Sequence, residues 1–186
     1  SSGNLWIATT FGLNLLERKD LEAGNYNFRI FLKDPSDEKS LIYNDVIHIF
    51  EDSEKRIWLG TFGGGIELLL NYGKDSAEFK HYGIEYPAGS GIVYGILEDN
   101  SGNIWYSTEN GLARLDPVSG NCEIFNNYNG LGFNSFSENT CCRTIDGRLI
   151  FGGNEGIEII DAALLGNESK TTRVELTKFL LFNKEV

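Results

Sequence analysis

Hydrophobic and polar residues alternate over short stretches of this chain, and one such stretch recurs four times. Each copy begins with glycine or arginine, continues with alternating aliphatic or aromatic positions and ends in a small residue. The four copies are Gly3–Thr9, Arg56–Thr61, Gly102–Thr108 and Gly147–Gly153. Alternation of this kind predicts a half-buried β-strand. Trp6, Trp58 and Trp105 occupy one position of the repeat, and Ile150 takes that position in the fourth copy.

Each copy is flanked by further short strands. An upstream strand with the same alternation is predicted at Val46–Asp52, Val93–Asp99 and Cys141–Asp146. Downstream, a glycine opens a third strand at Gly12–Leu16, Gly65–Leu69, Gly111–Leu115 and Gly156–Ile160. A fourth, more polar strand follows around Tyr26–Phe31, Glu78–Tyr82 and Cys122–Asn126. Four short antiparallel strands in a repeat of about 40–50 residues are typical of a β-propeller blade.

We therefore predict an all-β protein, a partial β-propeller of about three and a half four-stranded blades. The predicted blades are 1–34 (partial), 41–82, 91–126 and 137–161, within a propeller that spans 1–166. With 22 Gly against 3 Pro, the composition also favours strands joined by tight turns. The formal net charge of −11 makes most of the surface repel phosphate backbones and anionic bilayers, which disfavours nucleic acid as a partner.

Two repeated residue types have both a functional and a structural interpretation. Asp52, Asp99 and Asp146 are spaced by 47 residues and could supply catalytic carboxylates. Their place at the start of a hairpin turn favours instead an Asx turn, in which the carboxylate accepts backbone N–H groups. The repeated tryptophans could stack on sugars, but their position inside strands favours packing between neighbouring blades.

The chain offers little for catalysis or metal binding. His48 and His81 are its two histidines, and neither an HExxH nor a GxSxG motif occurs. Gly63–Gly65 and Gly130–Gly132 lack the lysine of a phosphate-binding loop and are interpreted as turns. The cysteines give neither a disulfide framework nor a CxxC motif, and leave their redox state open; they are Cys122, Cys141 and Cys142. We predict no catalytic residues, no metal and no cofactor.

The loops of one propeller face are better candidates for function. Turns between the second and third strands of each blade gather there with the connections between blades, where ligands usually bind. Aromatic rings stack on the C–H faces of sugars, and amides and carboxylates pair with their hydroxyls, although each residue could instead belong to a solvated turn. The candidate ligand-binding residues are Phe11, Phe62, Glu109, Asn110, Asn154, Glu155, Tyr43 and Asn134, with Asn44, Tyr86 and Tyr128 in the same connections.

The repeat, roughly I..I.ED..G.IW..T..GL..L, resembles the regulator-propeller repeat in the extracytoplasmic sensor region of bacterial hybrid two-component systems. Asn129–Phe136 resembles the segment that precedes the last blade in this family. Arg173–Asn183 resembles the opening of the Ig-like domain that follows the propeller. The resemblance therefore implies that 167–186 is a linker and the first strand of an Ig-like domain.

The same resemblance implies a function. The parent would be an inner-membrane hybrid sensor histidine kinase whose periplasmic propeller senses an oligosaccharide, and this part of it would be non-enzymatic. Expected partners are the remaining blades, the Ig-like domain and, through the end blades, a second copy in a homodimer. The alternatives from other classes are a propeller enzyme, such as a lyase or glycosidase, and a protein-interaction scaffold with an exposed apolar patch.

Overall fold

The computed structural model describes residues 3–82, 91–128 and 130–165, and two short strands at 180–181 and 184–185. Within these ranges the strands form five antiparallel sheets, four of which succeed one another as blades. Blade 1 contains β1 (Leu5–Thr9), β2 (Gly12–Leu16) and β3 (Arg29–Phe31), with helix α1 (Arg18–Glu22) between β2 and β3. Blade 2 contains β4 (Val46–Glu51), β5 (Ile57–Thr61), β6 (Ile66–Tyr72) and β7 (Ala77–Tyr82).

The remaining strands repeat this order. Blade 3 contains β8 (Gly95–Glu98), β9 (Ile104–Thr108), β10 (Gly111–Leu115) and β11 (Cys122–Phe125). Blade 4 contains β12 (Phe136–Arg143), β13 (Leu149–Gly153) and β14 (Gly156–Ile160). Sequential strands pair as neighbours in every blade, so the described part of the chain is a succession of meanders. The predicted all-β propeller fold is confirmed.

Two local features differ from the sequence expectation. The five-residue helix α1 was not predicted, because a segment this short shows no helical period; Arg18 and Glu22 form an i,i+4 ion pair on it at 2.6 Å. Strand β12 begins at Phe136, upstream of the predicted start at Cys141, because a bulge between these residues interrupts the alternation.

The predicted Ig-like strand falls outside the described residues, apart from β15 (Leu180–Leu181) and β16 (Lys184–Glu185), which pair antiparallel. The boundary near residue 167 stays a prediction. No helix in the described ranges is long and apolar enough to cross a membrane. The three cysteines, all within those ranges, are free thiols, and burial raises the pKa of Cys141 to about 11.

Hydrophobic cores lie between consecutive blades, because alternate side chains of each strand point to opposite sides of the sheet. On β5, Leu59 packs into the core between blades 1 and 2, whereas Trp58 packs into the core between blades 2 and 3. Trp105 takes the equivalent place between blades 3 and 4. Trp58 and Trp105 are fully buried and Trp6 is half-buried, which confirms that the tryptophans pack between blades.

A buried aspartate holds each of the two buried tryptophans. The Trp58 indole N–H donates to Asp52 Oδ2 at 2.7 Å, and the Trp105 indole N–H donates to Asp99 Oδ2 at 2.9 Å. The other carboxylate oxygen accepts the backbone N–H that closes the hairpin, from Arg56 at 2.9 Å in blade 2. The aspartate therefore sets the turn, as predicted. It also accepts the hydrogen bond that the buried indole N–H needs, a role that the repeat pattern does not reveal.

Asp146 was aligned with these aspartates, and that alignment is wrong. The residue that closes the blade 4 hairpin is Thr144: its N–H donates to Arg148 O at 2.9 Å, and its hydroxyl accepts the Arg148 N–H at 2.9 Å. Asp146 lies within the turn, exposed, and binds Arg148 at 2.9 Å. The blade that lacks the aspartate also has Ile150 in place of tryptophan, so no indole N–H needs an acceptor there.

The hairpin turns also bind to the neighbouring blade. In blade 3, buried Glu98 accepts the Ser53 N–H at 2.8 Å and the Ser53 hydroxyl at 2.7 Å from the blade 2 turn. In blade 4, Arg143 occupies the position of Glu98 and donates to Asn100, which occupies the position of Ser53. The direction of the hydrogen bond is reversed, because the inner strand accepts in blade 3 and donates in blade 4. In both blades the inner strand is joined to the hairpin turn of the preceding blade.

We expect Trp58→Ala to lower the free energy of unfolding by about 3–5 kcal/mol, because it leaves a cavity between blades 2 and 3. Trp6→Ala should cost less, since that side chain is half-buried. Chemical denaturation of both variants measures the difference. Changes below about 1 kcal/mol in both would contradict the packing described above.

Asp99→Ala should lower the free energy of unfolding by about 2–3 kcal/mol, because it leaves the buried Trp105 N–H without an acceptor. Asp146→Ala is the matched control, since this carboxylate is exposed and binds no tryptophan. Its denaturation midpoint should stay close to that of the unaltered chain. An equal effect of the two substitutions would show that the buried aspartate has no special role.

Candidate ligand-binding loop face

The loop face is formed by four tight turns and by the connections between blades. The turns are Thr9–Gly12, Thr61–Gly65, Thr108–Gly111 and Gly153–Gly156. Backbone hydrogen bonds join them to the connections: Gly12 N–H donates to Asn44 O at 2.7 Å, and Phe62 N–H donates to Asp45 O at 2.9 Å. The topology predicted from sequence therefore brings these two kinds of loop together.

A threonine and a glycine fix the shape of the turns in blades 1, 2 and 3. In blade 3 the Thr108 hydroxyl donates to Gly111 O at 3.0 Å and accepts the Asn110 N–H at 3.1 Å. Thr9 makes the same pair of contacts in blade 1. Gly111 has φ +127°, and a Cβ there would meet Phe125 O at 2.1 Å. The threonine hydroxyls and the backbone bonds to the connections thus hold the turn backbone, and the intervening side chains can face solvent.

Three candidate aromatic residues are exposed on the part of the loop face that belongs to blades 1 and 2. The exposed fractions are 66% for Phe11, 44% for Phe62 and 43% for Tyr43. The Tyr43 ring lies over Gly63, where a Cβ would come within 3.2 Å of it. Large apolar side chains that remain open to solvent on a rigid turn are suited to stacking on a ligand.

The polar candidates occupy the part of the loop face that belongs to blades 3 and 4. Asn110, Asn154 and Glu155 are exposed, and Glu109 is half-buried. Asn154 contacts the Ser137 hydroxyl at 3.5 Å. These side chains can form hydrogen bonds with hydroxyl groups of a ligand, because backbone groups already have partners within the turn, as in Thr108–Gly111.

Asn134 has a structural contact that its sequence position did not reveal. Its Oδ1 accepts the Asn127 N–H at 2.7 Å, and its Nδ2 donates to Asn127 Oδ1 at 3.1 Å. Asn44 occupies the same position of the repeat and accepts the Lys33 N–H at 2.7 Å. Both side chains hold their own connection in shape. Tyr128 is exposed, and Tyr86 lies outside the described residues.

The structure adds a group of polar residues that sequence reasoning missed. The bulge in β12 places Asn139 at φ +55°, with its N–H donating to Tyr94 O at 2.9 Å and its side chain 2.7 Å from His48 Nδ1. Blade 4 thereby reaches across blade 3 to blade 2. Burial raises the pKa of the Tyr94 hydroxyl, and the negative charges of Glu109 and Glu138 raise it further. The interrupted alternation after Phe136 was the one sequence signal for this arrangement.

Each of the two histidines contacts a partner on another strand. His48 contacts Asn139, and His81 contacts the buried carboxylate of Glu67 at 3.1 Å. In the described part of the chain, no three His, Cys, Asp or Glu side chains are arranged to hold a metal ion. What the loop face offers chemically is stacking and hydrogen bonding.

Comparison with curated proteins gives one relative of named function. It is "Histidine kinase P4" from Formosa agariphila, 24% identical over 186 residues. The alignment covers all of this chain and 13% of that protein.

Solved structures share the fold at low identity. The extracellular domain of a putative one-component system from B. thetaiotaomicron has a TM-score of 0.70 and 23% identity, over 88% of this chain and 23% of that one. A catalytically inactive virginiamycin B lyase from Staphylococcus aureus, bound to quinupristin, has a TM-score of 0.61 and 18% identity, over 88% of this chain and 50% of the lyase. One fold thus occurs in a signalling protein and in an enzyme, so the fold does not decide the function.

Two segments of the chain match a family model. Residues 40–63 and 88–110 match the family described as two-component regulator propeller. The two matched segments include the connection before a blade, its inner hairpin and the beginning of its loop-face turn. At these two segments the chain is similar to the two-component regulator propeller family, in agreement with its sequence pattern.

Proposed function

We propose that this chain is part of the periplasmic, ligand-sensing propeller of a hybrid two-component sensor histidine kinase. The family match and the named histidine kinase relative support this proposal. The chain spans 13% of that relative, so the kinase activity would belong to other parts of a longer, membrane-anchored protein. The role of the chain itself is recognition without turnover.

The ligand we propose is a neutral or weakly charged oligosaccharide bound at the loop face. The observation that carries this proposal is the exposure of Phe11 and Phe62 on tight turns and of Tyr43 on the connection that backbone hydrogen bonds join to those turns. Polar side chains of blades 3 and 4, including Asn110, stand on the same face to pair with sugar hydroxyls. The net charge of −11 disfavours polyanionic glycans, which the surface would repel.

Phe62→Ala and Asn110→Ala should each weaken oligosaccharide binding to the complete periplasmic region by about tenfold or more, with little change in melting temperature. The reason is that loop-face side chains contribute to recognition more than to the blade cores. Calorimetric titration with neutral oligosaccharides measures the affinity.

Ile145→Ala is the matched control, because Ile145 is a fully exposed hydrophobic residue in the hairpin turn at the opposite face. Unchanged affinity in both loop-face variants would place the ligand elsewhere. Hydrolysis of chromogenic glycosides by the same protein would contradict a sensor without turnover and favour the enzyme alternative.

We further propose that other blades of the longer protein cover the end faces, which are the outward sides of the sheets of blades 1 and 4. On blade 4, Ile157 and Ile159 are 62% and 49% exposed. Their equivalents in blade 2, Ile66 and Leu68, are buried in the core against blade 3. The register of the strands thus supports a neighbouring blade at this face of blade 4, and in an isolated chain a second copy would cover it.

The isolated chain should accordingly self-associate as its concentration rises, as measured by light scattering. Replacing both Ile157 and Ile159 with lysine should reduce the association, because the exposed apolar area falls and like charges repel. Val118→Lys is the control, since Val118 is 93% exposed away from this face. A monodisperse monomer at all concentrations would contradict the proposal that the end faces are interfaces.

A further inference from the structure

The connection between blades 1 and 2, residues 32–45 and here called the strap, runs along the outer strand of blade 2. The Phe79 N–H on β7 donates to Lys39 O at 2.8 Å. Leu41 is fully buried in the core between blades 1 and 2. Two residues further on, Tyr43 is exposed on the loop face. The position of Tyr43 therefore depends on how the strap is held.

A buried carboxylate and a histidine hold the strap. Glu67, on β6, is fully buried and accepts the Ile42 N–H at 3.1 Å. Its Oε2 lies 3.1 Å from His81 Nδ1, and His81 Nε2 lies 2.9 Å from Glu38 O. The pair thus contacts the strap at two points, the Glu38 carbonyl and the Ile42 amide.

To make both contacts of His81, the Glu67–His81 pair needs one proton more than an ionised Glu67 and a neutral His81 carry together. An ionised carboxylate and a carbonyl oxygen are both acceptors, so His81 needs N–H groups on both ring nitrogens to bind them together. If the extra proton leaves, one ring nitrogen faces an acceptor oxygen with a lone pair. Either the contact with Glu67 or the contact with Glu38 O is then lost.

Burial of Glu67 and its hydrogen bond with His81 keep that proton in place. Burial raises the pKa of the Glu67 carboxyl above its ordinary value of 4.5, and the hydrogen bond to Glu67 raises the pKa of His81 above its ordinary value of 6.5. The charge of Lys33, on the strap, lowers the pKa of Glu67. His81 lines a cleft together with acidic residues of the strap. These residues are Asp34, Asp37 and Glu38, around a cleft of about 390 Å³.

We propose that Glu67 and His81 form a proton-dependent latch that fixes the strap, and with it Tyr43, to blade 2. The folded pair holds its protons to higher pH than the unfolded chain does. Its stabilising contribution is therefore present at acidic pH and is lost as the pH rises above 6.5, through the folded pKa of His81. The consequence for ligand sensing rests on the function proposed above, whereas the latch itself does not.

Amide hydrogen exchange of the whole chain, followed residue by residue between pH 6 and pH 9, tests the latch without any ligand. The protection of the Ile42 and Phe79 amides, corrected for intrinsic exchange, should fall by up to about tenfold per pH unit once the proton leaves. The Thr144 amide, bonded to Arg148 O in blade 4, should keep its protection.

Glu67→Gln is the decisive variant because it preserves the shape without the ionisation. Its amide oxygen can accept the Ile42 N–H, and its NH₂ can donate to neutral His81, which still donates to Glu38 O. In this variant the exchange protection of the Ile42 and Phe79 amides should become independent of pH. The matched histidine control, His48→Gln, should keep the pH dependence. Constant protection in the unaltered chain, or the same pH dependence in Glu67→Gln, would overturn the latch while leaving the sensing proposal intact.

Discussion

The hydrogen bond between a hairpin aspartate and a buried indole is the interaction on which the packing of blades 2, 3 and 4 against one another depends. A tryptophan between two blades buries a large apolar surface but also a polar N–H, which must find an acceptor. Asp52 and Asp99 supply it from the turn of the same hairpin, with distances of 2.7 and 2.9 Å. One carboxylate thereby fixes the turn, the side-chain orientation and the contact with the next blade.

This arrangement separates the structural contacts from the candidate binding residues. The aspartates and the inter-blade contacts of Glu98 and Arg143 lie at the hairpins of one face. The exposed aromatic and polar side chains lie on turns and connections of the opposite face, where threonine hydroxyls and glycines shape the turns of blades 1, 2 and 3. Loop-face side chains can therefore differ between proteins of this fold without disturbing the cores, as expected for one scaffold that serves both signalling proteins and enzymes.

The blades and their cores were predictable from sequence because strand alternation and the repeated tryptophan are local patterns. The alignment of Asp146 with Asp99 failed because equal spacing concealed a different hairpin, in which Thr144 closes the turn. The candidate site was predictable only as a set of loops. The approach of Asn139 to His48 and the pairing of Glu67 with His81 join residues from separate strands, and the contact of Asn134 with Asn127 lies within one connection; periodicity registers none of them.

A double-mutant cycle between Asp99 and Trp105 tests the central claim most directly. Asp99→Ala removes the acceptor, Trp105→Phe removes the indole N–H, and the free energies of unfolding of both single variants and the double variant give the coupling. A direct hydrogen bond between these side chains predicts a coupling of about 1–3 kcal/mol, with the double variant less destabilised than the sum of the single variants. Additivity within about 0.5 kcal/mol would contradict the account.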